Sequence, residues 1–306
     1  MVKQGFFHEL KKNRILFLML TPAILYFLIF RYIPMGGIYL AFTRFNYVDG
    51  IFGSPFVGMN NFRFLYISGA LWTITRNTIL YNIAFLIVGN VCQIAVAIFI
   101  SEIVGRYFKK ITQTLMFLPY FVSFVLVGLI VYSILNYETG LLNSMIKPLG
   151  FEPVDIYGNI TAWPFILVMF NTWKGLGYGS VIYLAAIMGI DREMYEAAKI
   201  DGASIFKQIR YITLPMLKPT FIILVLLQLG NILRGQFELF YQIVGNNGTL
   251  FRVTDIIDTY VFRALVNNFD IGMGTAVGLY LSFFGFILIM TVNWIVKKVA
   301  PDYALF

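Results

Sequence analysis

Charged residues are scarce in this sequence. They make up 12% of its 306 residues, whereas 59% of the residues are hydrophobic and the mean hydropathy is +0.78. Because soluble domains carry about 25% charged residues, this composition excludes a soluble protein and predicts one that crosses the membrane several times. The net charge of +8 does not indicate nucleic-acid binding, because the basic residues stand between apolar runs, as signals of membrane orientation do.

Residues that carry chemistry are also few. The single cysteine, Cys92, lies in an apolar run and therefore offers neither a disulfide nor a cysteine metal cluster. The single histidine, His8, is interpreted as a surface residue near the N-terminus. No G-x-x-x-x-G-K-[ST] string occurs, which excludes ATP hydrolysis by a P-loop. We therefore predict no catalytic residue, no metal site and no cofactor in this chain.

Six apolar runs are each long enough to cross a membrane, since a helix needs about 20 residues for a hydrocarbon core of about 30 Å. The first run lacks an A-x-A cleavage site and is read as an uncleaved helix. We predict an all-α membrane protein whose six helices cover approximately these ranges: Ile15–Tyr39, Thr78–Ile100, Ile111–Leu135, Ala162–Ile190, Thr220–Ile243 and Met273–Val296.

Basic residues predict the orientation of these helices. They cluster in a leader over residues 1–14, in the turn before the third run, in the segment 191–219 and at Lys297 and Lys298. The short segments on the opposite side are relatively acidic. By the positive-inside rule, both termini are predicted to be cytoplasmic. The membrane domain then covers residues 15–298, followed by a cytoplasmic tail over residues 299–306.

The longest polar segment between apolar runs, residues 191–219, is predicted to form two short cytoplasmic helices. Residues 193–200 are helix formers, and Gly202 interrupts them with a residue that tolerates a bend. Ser204 is a candidate cap for a second helix over residues 205–213, which Pro215 is predicted to end. Such a pair of helices below a membrane bundle suits docking to a cytoplasmic partner.

The same segment resembles a known motif. Glu196-Ala197-Ala198, then Asp201-Gly202-Ala203, then Leu214-Pro215 are similar to the EAA loop of binding-protein-dependent ABC importer permeases. Several fixed residue types at fixed spacing are far more specific than one short motif. The resemblance implies the type I importer architecture and an ATPase contact made by Glu196. The small alanines would let another surface approach closely. The coupling residues it implies are Glu196, Ala197, Ala198, Asp201, Gly202 and Ala203.

Softer strings extend the resemblance to sugar permeases of the maltose type, from about residue 16 to residue 298. The region 56–62 is similar to an element of their first external loop. The closest branch is the lacto-N-biose or polysaccharide permeases of Gram-positive bacteria, on the strings 136–137, 232–238 and 258–263. One departure is residues 245–248, Gly-Asn-Asn-Gly, where a Gly-Gly-Pro is expected. This departure favours oligosaccharides over small sugars.

The family resemblance also implies partners. A second, related permease chain would complete the translocation path. Two ATPase subunits would use ATP and Mg²⁺, and an extracellular sugar-binding lipoprotein would deliver the oligosaccharide. The implied location is the plasma membrane of a Gram-positive bacterium.

Polar side chains inside the apolar runs are candidates for the substrate path, because such residues are costly in lipid and usually face a cavity or a partner. In the fifth run, Asn231, Arg234 and Glu238 follow helical spacing on one face, continued by Tyr241. An ion pair between Arg234 and Glu238 that only fixes packing is the alternative. In the fourth run the candidates are Asn171, Trp173 and Lys174, followed by glycines at 175, 177 and 179 that favour close helix packing. Cavity lining and pairing with an acidic residue remain open for Lys174.

Other classes of function make different demands on the sequence. A secondary transporter would need discontinuous helices around an ion site and an inverted repeat, and neither is evident. An intramembrane enzyme would need paired acids, a Ser/Lys pair or metal ligands within the membrane. A permease of the same class for another solute stays open.

Overall fold

The computed structural model describes residues 11–299, and within them the regular secondary structure is helical apart from one isolated bridge between Thr43 and Phe56. The predicted leader and tail lie largely outside this part of the chain. The α-helices are α1 Arg14–Phe27, α2 Gly50–Gly53, α3 Asn60–Ile67, α4 Ala70–Ser101, α5 Arg106–Phe121, α6 Phe124–Leu135, α7 Leu141–Ile146, α8 Trp163–Met188, α9 Arg192–Ile200, α10 Ile205–Gln208, α11 Leu214–Leu229, α12 Phe237–Val244, α13 Phe251–Thr254, α14 Ile257–Phe262 and α15 Ile271–Val299.

Membrane-capable helices are confirmed, but fewer than six are both long and apolar enough to cross a membrane. Within the described chain, the four that are lie at Arg14–Phe42, Ala70–Ser101, Ile205–Leu229 and Ile271–Lys298. A fifth span results if α5 and α6 are counted as one bent helix. Helix α8 is 26 residues long. It is long enough but less apolar than the other four, since polar residues and glycines interrupt its middle.

The first span is helical from Arg14 to Phe42, although its winding changes. A π-helical turn, Leu28–Tyr32, follows α1, and a 3-10 segment, Ile33–Phe42, follows that turn. Pro34 does not end this span, because it stands at the start of the 3-10 segment and the change of winding accommodates the N–H that proline lacks. Helix α1 has no buried residue, so the first span attaches to the bundle through its far end, where Ala41 is buried.

The third predicted helix is not continuous, which corrects the expected range Ile111–Leu135. Helices α5 and α6 meet at 95°. Pro119, inside the last turn of α5, has no N–H to continue the ladder. Ser123 then caps α6, with its side-chain oxygen accepting a hydrogen bond from the Leu126 N–H at 3.3 Å.

The fifth predicted helix, Thr220–Ile243, is also wrong as one element. Helix α11 ends at Leu229, residues 230–236 form turns, and α12 begins at Phe237. At its other end the helix is longer than expected. It runs continuously from Ile205 through a π-helical turn, Ile209–Thr213, so Pro215 does not end it. Pro215 follows this π-helical turn directly, and such a local change of winding accommodates the N–H that proline lacks.

Three apolar clusters hold the bundle together. The largest joins α4, α6, α8 and α12 around the fully buried Trp163, and its members include Phe85, Val127 and Phe240. A second joins the end of the first span to α3, α4, α14 and α15. The third joins α4, α8 and α11 around Tyr183. Helices α4 and α8 therefore form the centre of the molecule, and α15 lies towards its edge.

Candidate functional site

A cavity of about 610 Å³ lies between α4, α8 and the break that follows α11. Four of the seven predicted substrate-path residues line it: Asn171 and Lys174 from α8, and Asn231 and Arg234 from the break. Residues from two distant parts of the sequence thus meet at one site. The lining also includes amide and hydroxyl side chains that the sequence analysis missed, namely Asn82, Gln93, Tyr120, Thr172, Gln228 and Gln236.

The other three candidates, Trp173, Glu238 and Tyr241, lie outside this lining. Because residues 230–236 are not helical, the expected single polar face through Asn231, Arg234 and Glu238 does not exist. Glu238 stands instead in the first turn of a new helix, α12. Tyr241 stacks on Phe237, with ring centroids 5.1 Å apart.

The alternative ion pair between Arg234 and Glu238 is not formed. Within residues 11–299 the one ion pair joins Arg263 to Asp255, in the segment that follows α13. The Arg234 guanidinium makes no hydrogen bond to another described residue, whereas its backbone is fixed. Its N–H donates to the Asn231 carbonyl at 2.8 Å, and its carbonyl accepts from Asn82.

Asn82 stabilises the break in the fifth span. Its Nδ2 donates to the carbonyl oxygens of Ile232 at 2.9 Å and Arg234 at 3.2 Å. These carbonyls have left the helical ladder, and a buried carbonyl within a membrane needs a partner. On the other side of the break, the Gly235 N–H donates to the Asp258 carboxylate at 2.6 Å. Burial raises the pKa of that carboxyl, against the lowering effects of this hydrogen bond and of the Arg234 charge.

The same face of α4 binds the segment that follows α12. Asn77 donates to the carbonyl of Asp255 at 2.9 Å and to that of Arg252 at 3.2 Å. The Tyr81 hydroxyl donates to the Val253 carbonyl at 2.9 Å. Thr78 accepts a hydrogen bond from the Ile257 N–H at 3.0 Å. The spacing of these polar residues along one face of an otherwise apolar helix was the signal that could have found them.

Lys174 holds the other break, between α5 and α6. Its ammonium donates to three carbonyl oxygens at the end of α5, those of Val122, Tyr120 (2.9 Å) and Pro119 (3.4 Å). It also lies 4.7 Å from the centroid of the Phe124 ring. A cation at a helix C-terminus is favoured by the carbonyl dipoles that remain unpaired there. Of the two roles left open for Lys174, cavity lining is the one that the structure has, because no described acidic residue forms an ion pair with it. It also caps a helix at the wall of the cavity.

Two glycines of α8 make the central packing possible, as the sequence predicted. A Cβ on Gly177 would lie 2.1 Å from the Met116 carbonyl oxygen, and one on Gly179 would lie 2.1 Å from Gln93. Gly175 differs, because a Cβ there would be in ordinary contact at 3.9 Å. Helix α8 therefore packs backbone against backbone on α5 next to the cavity.

The segment 191–219 has the predicted helix, break and second helix. Asp191 caps α9 through a hydrogen bond from the Glu193 N–H at 3.0 Å. At the other end Gly202 has φ of +77°, the Ala203 N–H donates to Ala198 and the Gly202 N–H donates to Lys199. This pair of bonds is a Schellman motif, so the Asp-Gly-Ala string acts as a helix stop. Ser204 occupies the next N-cap, but its side chain makes no capping bond.

Several side chains of this loop are exposed and contact no other part of the described chain. Glu196 is exposed and makes no hydrogen bond or ion pair with the described residues. Ile200 and Phe206, one on each side of the Schellman turn, are 86% and 80% exposed. Two large apolar side chains beside a free carboxylate are typical of a surface that another protein covers.

The loop is connected to both walls of the cavity. Only residues 189–191 separate α9 from α8. The Tyr195 hydroxyl and Thr213 Oγ1 lie 2.9 Å apart, which ties α9 to the base of the helix that leads to Asn231. Helix α9 is therefore joined to both elements that carry the predicted path residues.

A helical membrane bundle with a polar cavity between its helices is the architecture expected of a membrane transporter. The family described as "Binding-protein-dependent transport system inner membrane component" matches residues 87–301, which include the loop and most of the cavity lining. The chain belongs to this family. The discontinuous helices that a secondary transporter would need are present after all, but the family match assigns the chain to the predicted class.

Similar proteins are known along almost the whole chain. Protein LplB of Bacillus subtilis is 34% identical over 94% of this chain and 90% of its own length. The polygalacturonan/rhamnogalacturonan transport system permease protein YteP of the same organism is 34% identical over 96% of this chain and 91% of its own length. A crystal structure of a bacterial ABC transporter that imports the acidic polysaccharide alginate contains a chain that is 30% identical. Its TM-score is 0.86, with 97% of this chain and all of that chain covered.

Proposed function

We propose that this chain is the permease subunit of a binding-protein-dependent ABC importer for oligosaccharides, and that the cavity lined by Asn171, Asn231 and Arg234 is part of the sugar path. The names of similar proteins support a carbohydrate cargo. They include polygalacturonan/rhamnogalacturonan, arabino-oligosaccharides and alginate. Amide groups that both donate and accept hydrogen bonds suit sugar hydroxyls.

The observation that carries this proposal is the connection of α9 to both cavity walls, through residues 189–191 and through the Tyr195–Thr213 contact. In a permease powered by another subunit, work done on a surface loop must reach the membrane cavity. In this chain the loop with the EAA motif is the element placed to transmit it. Glu196, Ala197, Ala198, Asp201, Gly202 and Ala203 are proposed as the ATPase-coupling residues.

The proposed assembly contains a second homologous permease chain, two ATPase subunits that use ATP and Mg²⁺, and an extracellular sugar-binding lipoprotein. The exposed first span supports the need for a partner, because α1 buries no residue within this chain. ATP hydrolysis is assigned to the partner subunits, so this chain is a non-catalytic subunit. Similar proteins from Bacillus support the plasma membrane of a Gram-positive bacterium as its location.

We propose six membrane crossings with both termini in the cytoplasm. The bent pair α5 and α6 is one crossing. Helix α8 is another, because its 26 residues extend about 39 Å at about 1.5 Å per residue, more than the hydrocarbon core requires. Its polar middle would face the cavity rather than lipid.

Coupling is tested with the full importer in proteoliposomes. Glu196→Lys reverses an exposed carboxylate that has no partner among the described residues, and Gly202→Pro cannot adopt φ of +77° or donate the bond to Lys199. Both variants are expected to abolish binding-protein-stimulated ATP hydrolysis and uptake while the complex still assembles. Glu102→Lys, a reversal at another exposed position, is the control and should stay stimulated. Normal stimulation in both loop variants would exclude this role.

A further inference from the structure

The side chains that line the cavity carry charge of one sign. Of the described residues in the lining, the charged ones are Lys174 and Arg234, and both are cations, with no described carboxylate among them. A cavity built for neutral sugars has no need of two cationic side chains at membrane depth, where charge is costly. The positive charge of the lining therefore gives information about the charge of the transported molecule.

The two cations are in different situations. The Lys174 ammonium is engaged by three carbonyl oxygens, as described above. The Arg234 guanidinium has no hydrogen-bond partner among the described residues. Its five N–H donors are available, and a planar fork of this kind matches a carboxylate with two parallel bonds.

Two carboxylates act on these cations through their charge, but neither forms an ion pair with Arg234. Asp258 accepts the Gly235 N–H at 2.6 Å and influences Arg234 only through its charge. Glu238 is exposed on α12, outside the lining, and influences Lys174 through its charge. Because Asn82 and Asn231 fix the Arg234 backbone, its side chain projects from a held position.

A second feature of the cavity indicates a polar ligand. The Thr172 hydroxyl oxygen, in the cavity lining, is buried and has no hydrogen-bond partner within the described chain. A buried hydroxyl without a partner costs free energy that a bound ligand can recover. The free guanidinium and the unpaired hydroxyl together suit a ligand that has both carboxylate and hydroxyl groups.

We infer that the cargo is an anionic oligosaccharide, one built from uronic acid residues, and that Arg234 binds its carboxylate. This inference rests on the proposed function and narrows it to a substrate class. Arg234 is then a specificity-determining residue. It discriminates a uronate from the neutral sugar of the same shape by a charge-assisted pair of hydrogen bonds.

The test compares matched ligands on the complete importer in nanodiscs. The probes are labelled trigalacturonate and its carboxyl-reduced neutral counterpart with the same linkages. The unaltered complex is expected to bind the charged trisaccharide more tightly. Arg234→Gln should weaken that binding by about 10- to 150-fold, as expected for loss of a charge-assisted hydrogen bond. Binding of the neutral trisaccharide should change by less than about twofold.

Two further measurements keep the test decisive. Arg234→Lys retains the charge without the fork and should bind trigalacturonate less tightly than the unaltered complex, a result that can be measured even if Arg234→Gln does not assemble. Arg106→Gln removes an exposed cation far from the cavity and should change neither affinity. In the unaltered complex, the affinity for trigalacturonate should fall as the salt concentration is raised, whereas the affinity for the neutral trisaccharide should not change.

Equal affinity of the unaltered complex for both ligands, or an equal loss for both in Arg234→Gln, would overturn the inference. No measurable binding of trigalacturonate would also overturn it. Uptake assays show whether only the inference of an anionic cargo is wrong or the proposed permease function is wrong as well. ATP-dependent uptake of neutral oligosaccharides without preference for charge would leave the permease function standing, whereas no ATP-dependent uptake of any oligosaccharide would remove both.

Discussion

Single side chains hold this membrane bundle at the places where its backbone leaves the helix. Lys174 and Asn82 each donate to carbonyl oxygens at a break, and each comes from a neighbouring helix. Where water is scarce, an unpaired carbonyl is costly, so a donor supplied from elsewhere decides whether a break persists. Both residues also line the cavity, so each of them supports a helix break and contributes to the cavity surface.

Replacement of Lys174 by methionine is expected to destabilise the complex. The substitution keeps an unbranched side chain but removes the ammonium from three carbonyl oxygens. The expected loss is about 1.5–3 kcal/mol in the free energy of unfolding, typical of hydrogen bonds to a charged group. A lower thermal transition of the purified complex, relative to unaltered protein, would be the readout.

Lys147→Met provides the matched control, because Lys147 is exposed and hydrogen-bonds to no described residue through its side chain. Its thermal transition should stay within experimental error of the unaltered protein. Lys174→Arg, which keeps the charge, should recover part of the stability. Equal transitions for Lys174→Met and Lys147→Met would show that the three carbonyls do not depend on Lys174.

At the scale of elements, α8 is the helix on which the cavity depends. It contributes polar residues to the cavity, packs its glycines against α5 and α4, and leads directly into α9. The polar residues and glycines that serve these contacts explain the low hydropathy of α8. A helix that is shielded from lipid by its neighbours can carry residues that a lipid-facing helix cannot.

Gly177→Ala tests the packing of α8. The added Cβ would lie 2.1 Å from the Met116 carbonyl oxygen, so α8 and α5 must separate. Overpacking of this kind costs about 1–3 kcal/mol. A lower thermal transition in detergent and a weaker stimulated ATPase activity are expected, because the shift lies next to Lys174.

Gly175→Ala is the control for that substitution, since both changes raise helix propensity equally and the new Cβ at 175 makes only ordinary contact at 3.9 Å. It should be neutral or slightly stabilising. If Gly177→Ala behaved like Gly175→Ala, the close approach of the two helices would not contribute to stability.

At the scale of the whole molecule, composition alone does not determine how many times the chain crosses the membrane. Helix α8 is the critical case. Glu152 and Arg192 lie on either side of it, and both are exposed. Since Cys92 is the single cysteine, a Cys92→Ser background leaves no thiol and allows one to be placed at will.

In that background we expect a membrane-impermeant maleimide to label Glu152→Cys in intact cells. Arg192→Cys should react only after permeabilisation, because it follows α8 into the cytoplasm. The parent without cysteine is the control for background labelling. Labelling of both positions from outside would mean that α8 does not cross the membrane.

Local features of the sequence were sufficient to establish the class of this protein. Its apolar runs, the sign and place of its charges and the spacing of the EAA motif can each be recognised from residues that are close together in the chain. The break at Gly202 belongs with them, since a Schellman turn is made from bonds between residues only three to five positions apart. The class and the helix break in this loop could therefore be predicted from neighbouring residues alone.

The positions of the breaks in the long helices, and the polar residues that meet there, depend on contacts across the folded chain. Asn82 lies 150 residues from Ile232, and Lys174 lies 52 to 55 residues from the carbonyls it binds. Periodicity predicted unbroken helices, because it describes only neighbours along the chain. A break in a membrane helix persists when distant side chains satisfy its backbone, and those partners become neighbours only once the chain has folded.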